Sequence, residues 1–189
     1  GVNMVYEGTY RRGQKDFSAE VLAANRAGVE VLLAGGIVTE NIAMVKEMER
    51  VGNEAPIVLS WIGRNAPDNL KPMGAAVANV YMADYVVAEE TPAGQEFLTK
   101  AEEILPADEF KRVNRFSYVG YAATKLMIEA IKACPDLTWS CTNAALEATN
   151  GLDVGTMSPI GFSPESHFSH QEITLMKANP ETFNFEPVE

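Results

Sequence analysis

The stretch that decides the fold is VEVLLAGGIVTENIAMVKEMERVG, residues 29–52. Near its start, after Glu30, it contains a short, continuously apolar run, Val31–Ala34, which is typical of a strand in a parallel sheet that is buried on both faces. After a Gly-Gly pair, apolar residues recur at three-residue steps, and this pattern predicts the amphipathic helix that crosses over between parallel strands. We therefore predict a strand at Val29–Ala34, followed by a helix that Thr39 caps and that ends at Gly52.

The residues on both sides of this stretch extend the alternation of strands and helices. Asp16 or Ser18 is expected to cap a helix that ends at Ala27. Because strands and helices alternate in this way, we predict an α/β fold with a parallel, doubly wound sheet. The other strands predicted for this part are Val2–Tyr10, Pro56–Ser60 and Val80–Val87.

The sequence from Glu89 to Gly151 is almost entirely helical in its pattern. A helical stretch of this length usually belongs to a different layer or lobe from the sheet before it. Strand-like patterns return at Ser158–Phe162 and Gln171–Met176, which indicates that the chain crosses back to the lobe that contains the sheet. The predicted helices are Thr91–Pro106, Phe116–Ala133 and Ser140–Thr149.

The composition limits the partners. With 189 residues the chain can bury a core, in one large domain or two small ones. The net charge of −11 disfavours nucleic acid and anionic membranes, which need clustered Lys and Arg. The chain begins almost directly in a strand-like run, so we expect it to be a fragment of a longer polypeptide.

Sheets of this kind bind ligands in the loops just past the carboxyl ends of their strands. Here those loops are Gly35–Thr39 and Ser60–Arg64. The candidate ligand-binding residues are Gly36, Ile37, Val38, Ser60, Trp61 and Ile62.

Other chemistry has little support in the sequence. His167 and His170 near Glu165 have a spacing that metal ligands use, but a polar turn explains them better. The Gly-Gly pair lacks the rest of a phosphate-binding loop, and no serine lies in a hydrolase motif. The Arg-Arg-Gly sequence at residues 11–13 could bind an anion, but a solvated loop is the favoured interpretation. We expect no metal, no cofactor and no enzymatic activity.

Four short motifs follow one another in a specific order along nearly the whole chain. They are Asp16–Ala19 (DFSA), the spaced set Gly35, Gly36, Met44, Glu47 and Gly52, the YAA of Tyr121–Ala123, and the closing turn of Ile160, Phe162, Pro164 and His167. In this order they resemble the C-terminal portion of a type I periplasmic binding protein, of the branched-chain amino acid receptor kind.

The resemblance implies a two-lobed receptor that closes on a small solute by a hinge motion and delivers it to the permease of an ABC transporter. It implies a periplasmic or extracellular location, with an optional lipid anchor on a preceding segment. Residues 1–85 and 157–189 would form the α/β C-terminal lobe, and residues 86–156 the helical part of the other lobe. The hinge residues would be Asp84, Tyr85, Thr156 and Met157.

The resemblance also implies that one strand of the sheet is missing. In this family it is the first strand of the lobe and lies centrally in the sheet, between the first two strands that we predict for this chain (Val2–Tyr10 and Val29–Ala34). We expect a missing N-terminal segment or a second copy of the chain to complete the sheet, because unpaired strand edges are costly when buried. The isolated chain should therefore bind its solute poorly.

Two positions depart from the family pattern. Trp61 stands where members that bind amino acids have a carboxylate for the ammonium group, and Ile37 replaces an aromatic residue. Both changes make the pocket floor more apolar, which favours an aliphatic or aromatic acid over a zwitterionic amino acid. The alternative for Trp61 is that it only fills the core.

Cys134 and Cys141 flank a short loop that contains a proline. Free buried thiols and a loop-closing disulfide are both compatible with this spacing. The extracytoplasmic location implied by the resemblance favours the disulfide.

Two other functions stay open. A ligand-sensing regulator of the same fold would carry an output domain. A flavodoxin-like enzyme would hold a nucleotide or flavin.

Overall fold

The computed structural model describes residues 1–60, 69–87, 89, 91–169 and 173–188. The predicted ligand-binding residues Trp61 and Ile62 lie outside this set.

The contacts divide the chain into two units. The first unit is Gly1–Asp84 with Thr174–Glu189, and the second is Tyr85–Ile173. The predicted division returned to the first unit at residue 157, whereas in the structure the return comes at Thr174.

The first unit is built on a five-stranded sheet in which the strands lie in chain order. The first three strands are parallel, and the last two continue the sheet in antiparallel fashion. This arrangement confirms the predicted α/β class, with a parallel part formed by the strands that the sequence indicated. The strands are β1 Leu32–Ala34, β2 Ile57–Leu59, β3 Val80–Asp84, β4 Thr174–Ala178 and β5 Phe185–Pro187.

Two α-helices and a 3₁₀ segment pack against this sheet. They are α1 Ser18–Arg26, α2 Val38–Arg50 and the 3₁₀ segment Lys71–Asn79, which a left-handed Gly74 interrupts. Side chains from all three pack together with every second residue of the strands and form one hydrophobic core. The side chains of this core include Val21, Met44, Val45, Met73, Val77, Ala34, Ile57, Leu59, Val80, Met82 and Met176.

The other face of the sheet is largely open within the described part of the chain. Its residues alternate with those of the core, and Leu33 and Leu175 are 70% and 44% exposed. The expectation that the strands are buried on both faces is therefore wrong here, because the helices that follow β1 and β2 pack on the same side.

Two predicted strands are absent. Residues 1–10 have no regular secondary structure, and Val2 and Met4 are exposed. At Ser158–Phe162 there is a single bridge, between Leu152 and Ile160. Strand-like sequence does not form a strand in either place, because a strand also needs a neighbour with which to exchange hydrogen bonds.

The second unit is mostly helical, as predicted. Its core includes Val86, Tyr118, Ala122, Val154 and Ile160. None of the helices in the described ranges is long and apolar enough to cross a membrane. The helices are α3 Pro92–Ile104, the short and unpredicted α4 Ala107–Phe110, α5 Arg115–Lys132 and α6 Trp139–Glu147.

Candidate functional site

The loop between β1 and α2 requires a glycine at its buried position. Gly36 is buried, and a Cβ atom on it would overlap the Oδ1 of Asn41. Gly35, one residue earlier, is exposed and has open space around its Cα. The predicted ligand-binding residues Ile37 and Val38 follow, both half-buried, at the point where the loop becomes α2.

The first residue after β2 reaches this same loop. The backbone N–H of Ser60 donates to the carbonyl of Ala34 at 3.1 Å, which extends the parallel pairing by one residue. Its hydroxyl donates to the carbonyl of Gly36 at 2.6 Å. The structure thus brings Gly36 and Ser60 together at the carboxyl ends of adjacent strands, which is where sheets of this type hold ligands.

The start of α2 has no capping side chain. Ile37 occupies the N-cap position in an extended conformation, so the prediction that Thr39 caps this helix is wrong. Among the described residues, the N–H groups of Val38 and Thr39 have no acceptor. The carboxylate of Glu40, in the first turn of α2, lies at the positive end of the helix dipole.

A segment that the sequence did not assign to the site lies against this loop. The hydroxyl of Tyr10 donates to the carbonyl of Gly35 at 3.1 Å. The N–H of Gly13 donates to Oε1 of Glu40 at 2.7 Å. These two bonds hold the turn of residues 10–14 beside the start of α2.

Two polar side chains in the first turns of α2 are almost fully buried. Glu40 is 1% exposed and Asn41 is 0% exposed. Glu40 Oε2 and both polar side-chain atoms of Asn41 have no hydrogen-bond partner among the described residues. A buried polar group without a partner costs about 1–3 kcal/mol, so such a pair is unusual in a helix that otherwise buries apolar residues. The sequence signal that could have identified this pair is the occurrence of two consecutive polar residues, Glu40 and Asn41, at the start of an amphipathic helix.

The predicted hinge residues fall in two places. The chain passes from the first unit to the second between Asp84 and Tyr85. Thr156 and Met157 lie within the second unit, where Met157 bridges Val86. Thr156 Oγ1 is buried and donates to the carbonyl of Tyr118 at 2.8 Å. Burial also raises the pKa of the Tyr85 phenol.

Cys134 and Cys141 form a disulfide, with their Cα atoms 5.5 Å apart. The bond joins the segment just after α5 to the first turn of α6. In the described ranges, the one group of three side chains with metal-ligand spacing is these two cysteines with Asp136. Because the two sulfurs are bonded to each other, this group is a disulfide with a carboxylate beside it. His170, the second histidine of the metal alternative, lies outside the described residues.

A cavity of about 200 Å³ lies elsewhere in the first unit. Met48, Asn53, Ile57 and Asn79 are among its lining residues. It therefore opens near the amino-terminal end of β2, away from the carboxyl edge that holds Gly36 and Ser60.

Comparison with known proteins gives a family and a fold. The model of the family described as periplasmic binding protein matches residues 1–182. No curated protein sequence matches the chain.

Solved structures share the fold at low sequence identity. A branched-chain amino acid ABC transporter protein from Thermus thermophilus, with bound valine, is 19% identical at a TM-score of 0.72, over 94% of this chain and 49% of that one. A leucine-binding protein from Thermotoga maritima is 17% identical at 0.71, with coverages of 94% and 49%. A solute-binding protein from R. palustris in complex with 4-hydroxybenzoate is 16% identical at a TM-score of 0.72, over 94% of this chain and 49% of that one. The chain thus spans about half the length of these proteins.

Proposed function

Because this chain belongs to the periplasmic binding protein family, we propose that it is part of an extracytoplasmic receptor that binds a small organic solute and delivers it to an ABC importer. The observation that carries the proposal is the meeting of Gly36 and Ser60 at the carboxyl edge of the parallel strands. The exposed Gly35 and the uncapped start of α2 lie at the same edge.

The solute class we propose is an aliphatic or aromatic acid. The half-buried Ile37 gives the loop an apolar side chain, and the N–H groups of Val38 and Thr39, which have no acceptor among the described residues, suit an oxygen-rich group. Among related structures, one was solved with the amino acid valine and another with 4-hydroxybenzoate, and the second of these solutes is an aromatic acid of the proposed class. The contribution of Trp61 and Ile62 stays a prediction.

We further propose that a strand from a preceding segment of a longer polypeptide, or from a second copy, pairs with the outer edge of β1. This strand lies at the edge of the sheet, and Val31 and Leu33 beside that edge are 52% and 70% exposed. A hinge at Asp84–Tyr85, with Thr156 and Met157 nearby along the bridged segment, would let the receptor respond to its solute.

Ligand-induced thermal stabilisation of the complete gene product tests the function. A panel of aliphatic acids, aromatic acids and branched-chain amino acids should contain at least one compound that raises the melting temperature, since a ligand that binds only the folded state stabilises it by RT ln(1 + [L]/Kd). Calorimetry should then give a one-site isotherm for that compound. The 189-residue chain alone should bind it more weakly.

Two variants localise the site. Ser60→Ala should weaken binding, because it releases the carbonyl of Gly36. The exposed Ser140→Ala, in α6, is the matched control and should leave binding unchanged. A panel without any stabilising compound, or stabilisation by flavin or nucleotide alone, would contradict the proposal.

A further inference from the structure

We propose that one face of α5 pairs with the same face of a second copy of this chain, so that the two helices lie antiparallel. This inference goes beyond the proposed function, because it concerns the second unit and involves no solute. We call the residues concerned the α5 face. They are Phe116, Gly120, Ala123, Thr124, Met127 and Ile131.

The α5 face is apolar although it lies in solvent. Phe116, Met127 and Ile131 are 57%, 42% and 45% exposed, and a helix with 3.6 residues per turn brings these positions to one side. The charged residues of α5 lie outside this face at the same periodicity; they are Arg115, Lys125, Glu129 and Lys132. The opposite side of the helix contributes Tyr118 and Ala122 to the core of the second unit. Apolar residues on both sides are typical of a helix that is covered on both sides.

The polar groups of the α5 face are already satisfied. The hydroxyl of Thr124 donates to the carbonyl of Gly120 at 2.8 Å, within the helix itself. The other five residues of the face have no side-chain oxygen or nitrogen. Removing the face from water therefore leaves no side-chain donor or acceptor without a partner, and the desolvation cost is small. Such a surface suits another apolar surface better than a polar ligand.

The order of residues along the α5 face favours a second copy as the partner. A two-fold axis between Ala123 and Thr124 makes each residue of the face meet a residue of the same face, as an isologous interface requires. The contacts, each made twice, are Phe116 with Ile131, Gly120 with Met127 and Ala123 with Thr124. An added Cβ at Gly120 would have no neighbour within 4 Å, so the side chain of Met127 from the other copy finds open space there. Ridges of one helix thus meet grooves of the other.

The charge of the chain also favours this face over the rest of the surface. Two copies that each carry a net charge of −11 repel one another. An uncharged face is the place where two such copies approach with the least direct repulsion, and its apolar contacts can compensate for what remains. A basic partner would gain nothing from a face without carboxylates. The α5 face therefore fits a second copy better than a protein of opposite charge.

Sedimentation equilibrium of the complete gene product tests the pairing. Residues 116–131 span about 24 Å of helix, which places the contact at the small end of specific interfaces, so we expect a monomer–dimer equilibrium with a Kd on the order of 10 μM. Salt at about 0.5 M should leave the dimer intact or strengthen it, because it screens the repulsion between the copies. A monomer at all concentrations up to about 200 μM would overturn the inference, and is the result expected if another segment of a longer polypeptide covers the face.

Cysteine cross-linking tests the antiparallel geometry. Ala123→Cys lies next to the axis and should form a covalent dimer under mild oxidation, since a disulfide needs Cα atoms within about 7 Å of each other. Phe116→Cys lies about 22 Å from its own copy along the helix and should not. A mixture of Phe116→Cys with Ile131→Cys should cross-link again. The unchanged protein is the control, because Cys134 and Cys141 are already bonded to each other.

Two cross-linking results would contradict the pairing. One is that Phe116→Cys cross-links with itself as readily as Ala123→Cys does, since this would indicate parallel or random contact. The other is that Ala123→Cys stays monomeric at a concentration well above the expected Kd.

A charge at the axis should break the dimer. Ala123→Glu brings two carboxylates together there and should raise the Kd at least about tenfold, while the melting temperature of the monomer stays close to that of the unchanged protein. Ala107→Glu is the matched control, because it adds the same charge at an exposed position of α4 and should leave the Kd within about twofold. Equal weakening by both variants, or none by Ala123→Glu, would overturn the inference.

Discussion

The helices α5 and α2 begin in opposite ways. At α5 the side chain of Asn114 accepts the N–H of Phe116 at 2.9 Å, and the hydroxyl of Ser117 accepts the N–H of Asn114 at 3.2 Å. At α2 the cap position holds Ile37, and no side chain accepts a bond from the first turn. The first start is capped by side chains of its own first turn, whereas the first two N–H groups of α2 have no acceptor in the part of the chain that the structure describes. A capped start stabilises a helix, whereas the start of α2 lies at the carboxyl edge of the sheet, where sheets of this type hold ligands.

The largest expected effect comes from the loop that leads into α2. Gly36→Ala should lower the free energy of unfolding by about 3 kcal/mol, because the added Cβ overlaps the buried Asn41 and must displace it. Gly35→Ala adds the same atom in open space and should change it by less than about 0.5 kcal/mol. Urea unfolding measures both. If both variants lose the same unfolding free energy, the loop can accommodate a Cβ atom at Gly36, and tight packing against Asn41 does not distinguish this helix start.

The start of α6 adds a covalent tie to its cap. Thr138 Oγ1 accepts the N–H of Cys141 at 3.3 Å, and Cys141 is bonded to Cys134. Replacing both cysteines by serine should cost about 2 kcal/mol in urea unfolding, the loss expected from opening a short loop. Treatment of the unchanged protein with a reductant should give a similar loss. Unaltered stability in both experiments would mean that the tie contributes nothing to this helix start.

Direct removal of a cap sharpens the comparison. Asn114→Ala should cost about 1 kcal/mol, because it removes the side-chain oxygen that accepts the Phe116 N–H at the start of α5. Thr39→Ala, the residue of α2 that the sequence suggested as a cap, should cost less than about 0.5 kcal/mol, since its side chain is exposed and caps nothing. Thermal melting curves of the two variants and the unchanged protein measure both effects. A larger loss of stability in Thr39→Ala than in Asn114→Ala would show that Thr39 caps α2 after all.

The smallest effect concerns α1 and depends on pH. Asp16 Oδ1 accepts the N–H and the hydroxyl of Ser18, and these bonds hold the pKa of its carboxyl below the ordinary value. A lowered pKa in the folded state stabilises the protein above the unfolded pKa, and this contribution disappears as the pH falls below about 4. The difference in stability between the wild-type protein and Asp16→Asn should accordingly narrow on acidification from pH 6 to pH 3. A constant difference would mean that the hydrogen bonds do not depend on the charge.

The alternation of strands and helices could be predicted because its signals are local. Residues 29–52 contain both an uninterrupted apolar run and a helical repeat, and the structure places β1 and α2 there. The strand predicted at Val2–Tyr10 does not form, since an extended segment becomes a strand only beside a partner strand, and local sequence does not show whether a partner is present. The cap was misplaced by two residues, because apolar Ile37 gives no polar signal at the position where the helix begins.

The candidate site could be predicted only in part. The topological rule indicates the ends of β1 and β2, and the contact of Ser60 with Gly36 lies there. The bonds of Tyr10 to Gly35 and of Gly13 to Glu40 join residues 25 and 27 positions apart. Neither motif spacing nor periodicity encodes such pairs, because they depend on how a turn folds back on a loop.

The half-covered sheet of the first unit has a practical consequence. On its open face Lys177 extends over the ring of Tyr81 at 5.5 Å, but Leu33, two strands away, has no such cover. A purified preparation of this chain should therefore be retained on hydrophobic-interaction resin and brighten a dye such as ANS while its far-ultraviolet and near-ultraviolet spectra remain those of a native protein. Dye fluorescence alone would then be a misleading assay of its folding.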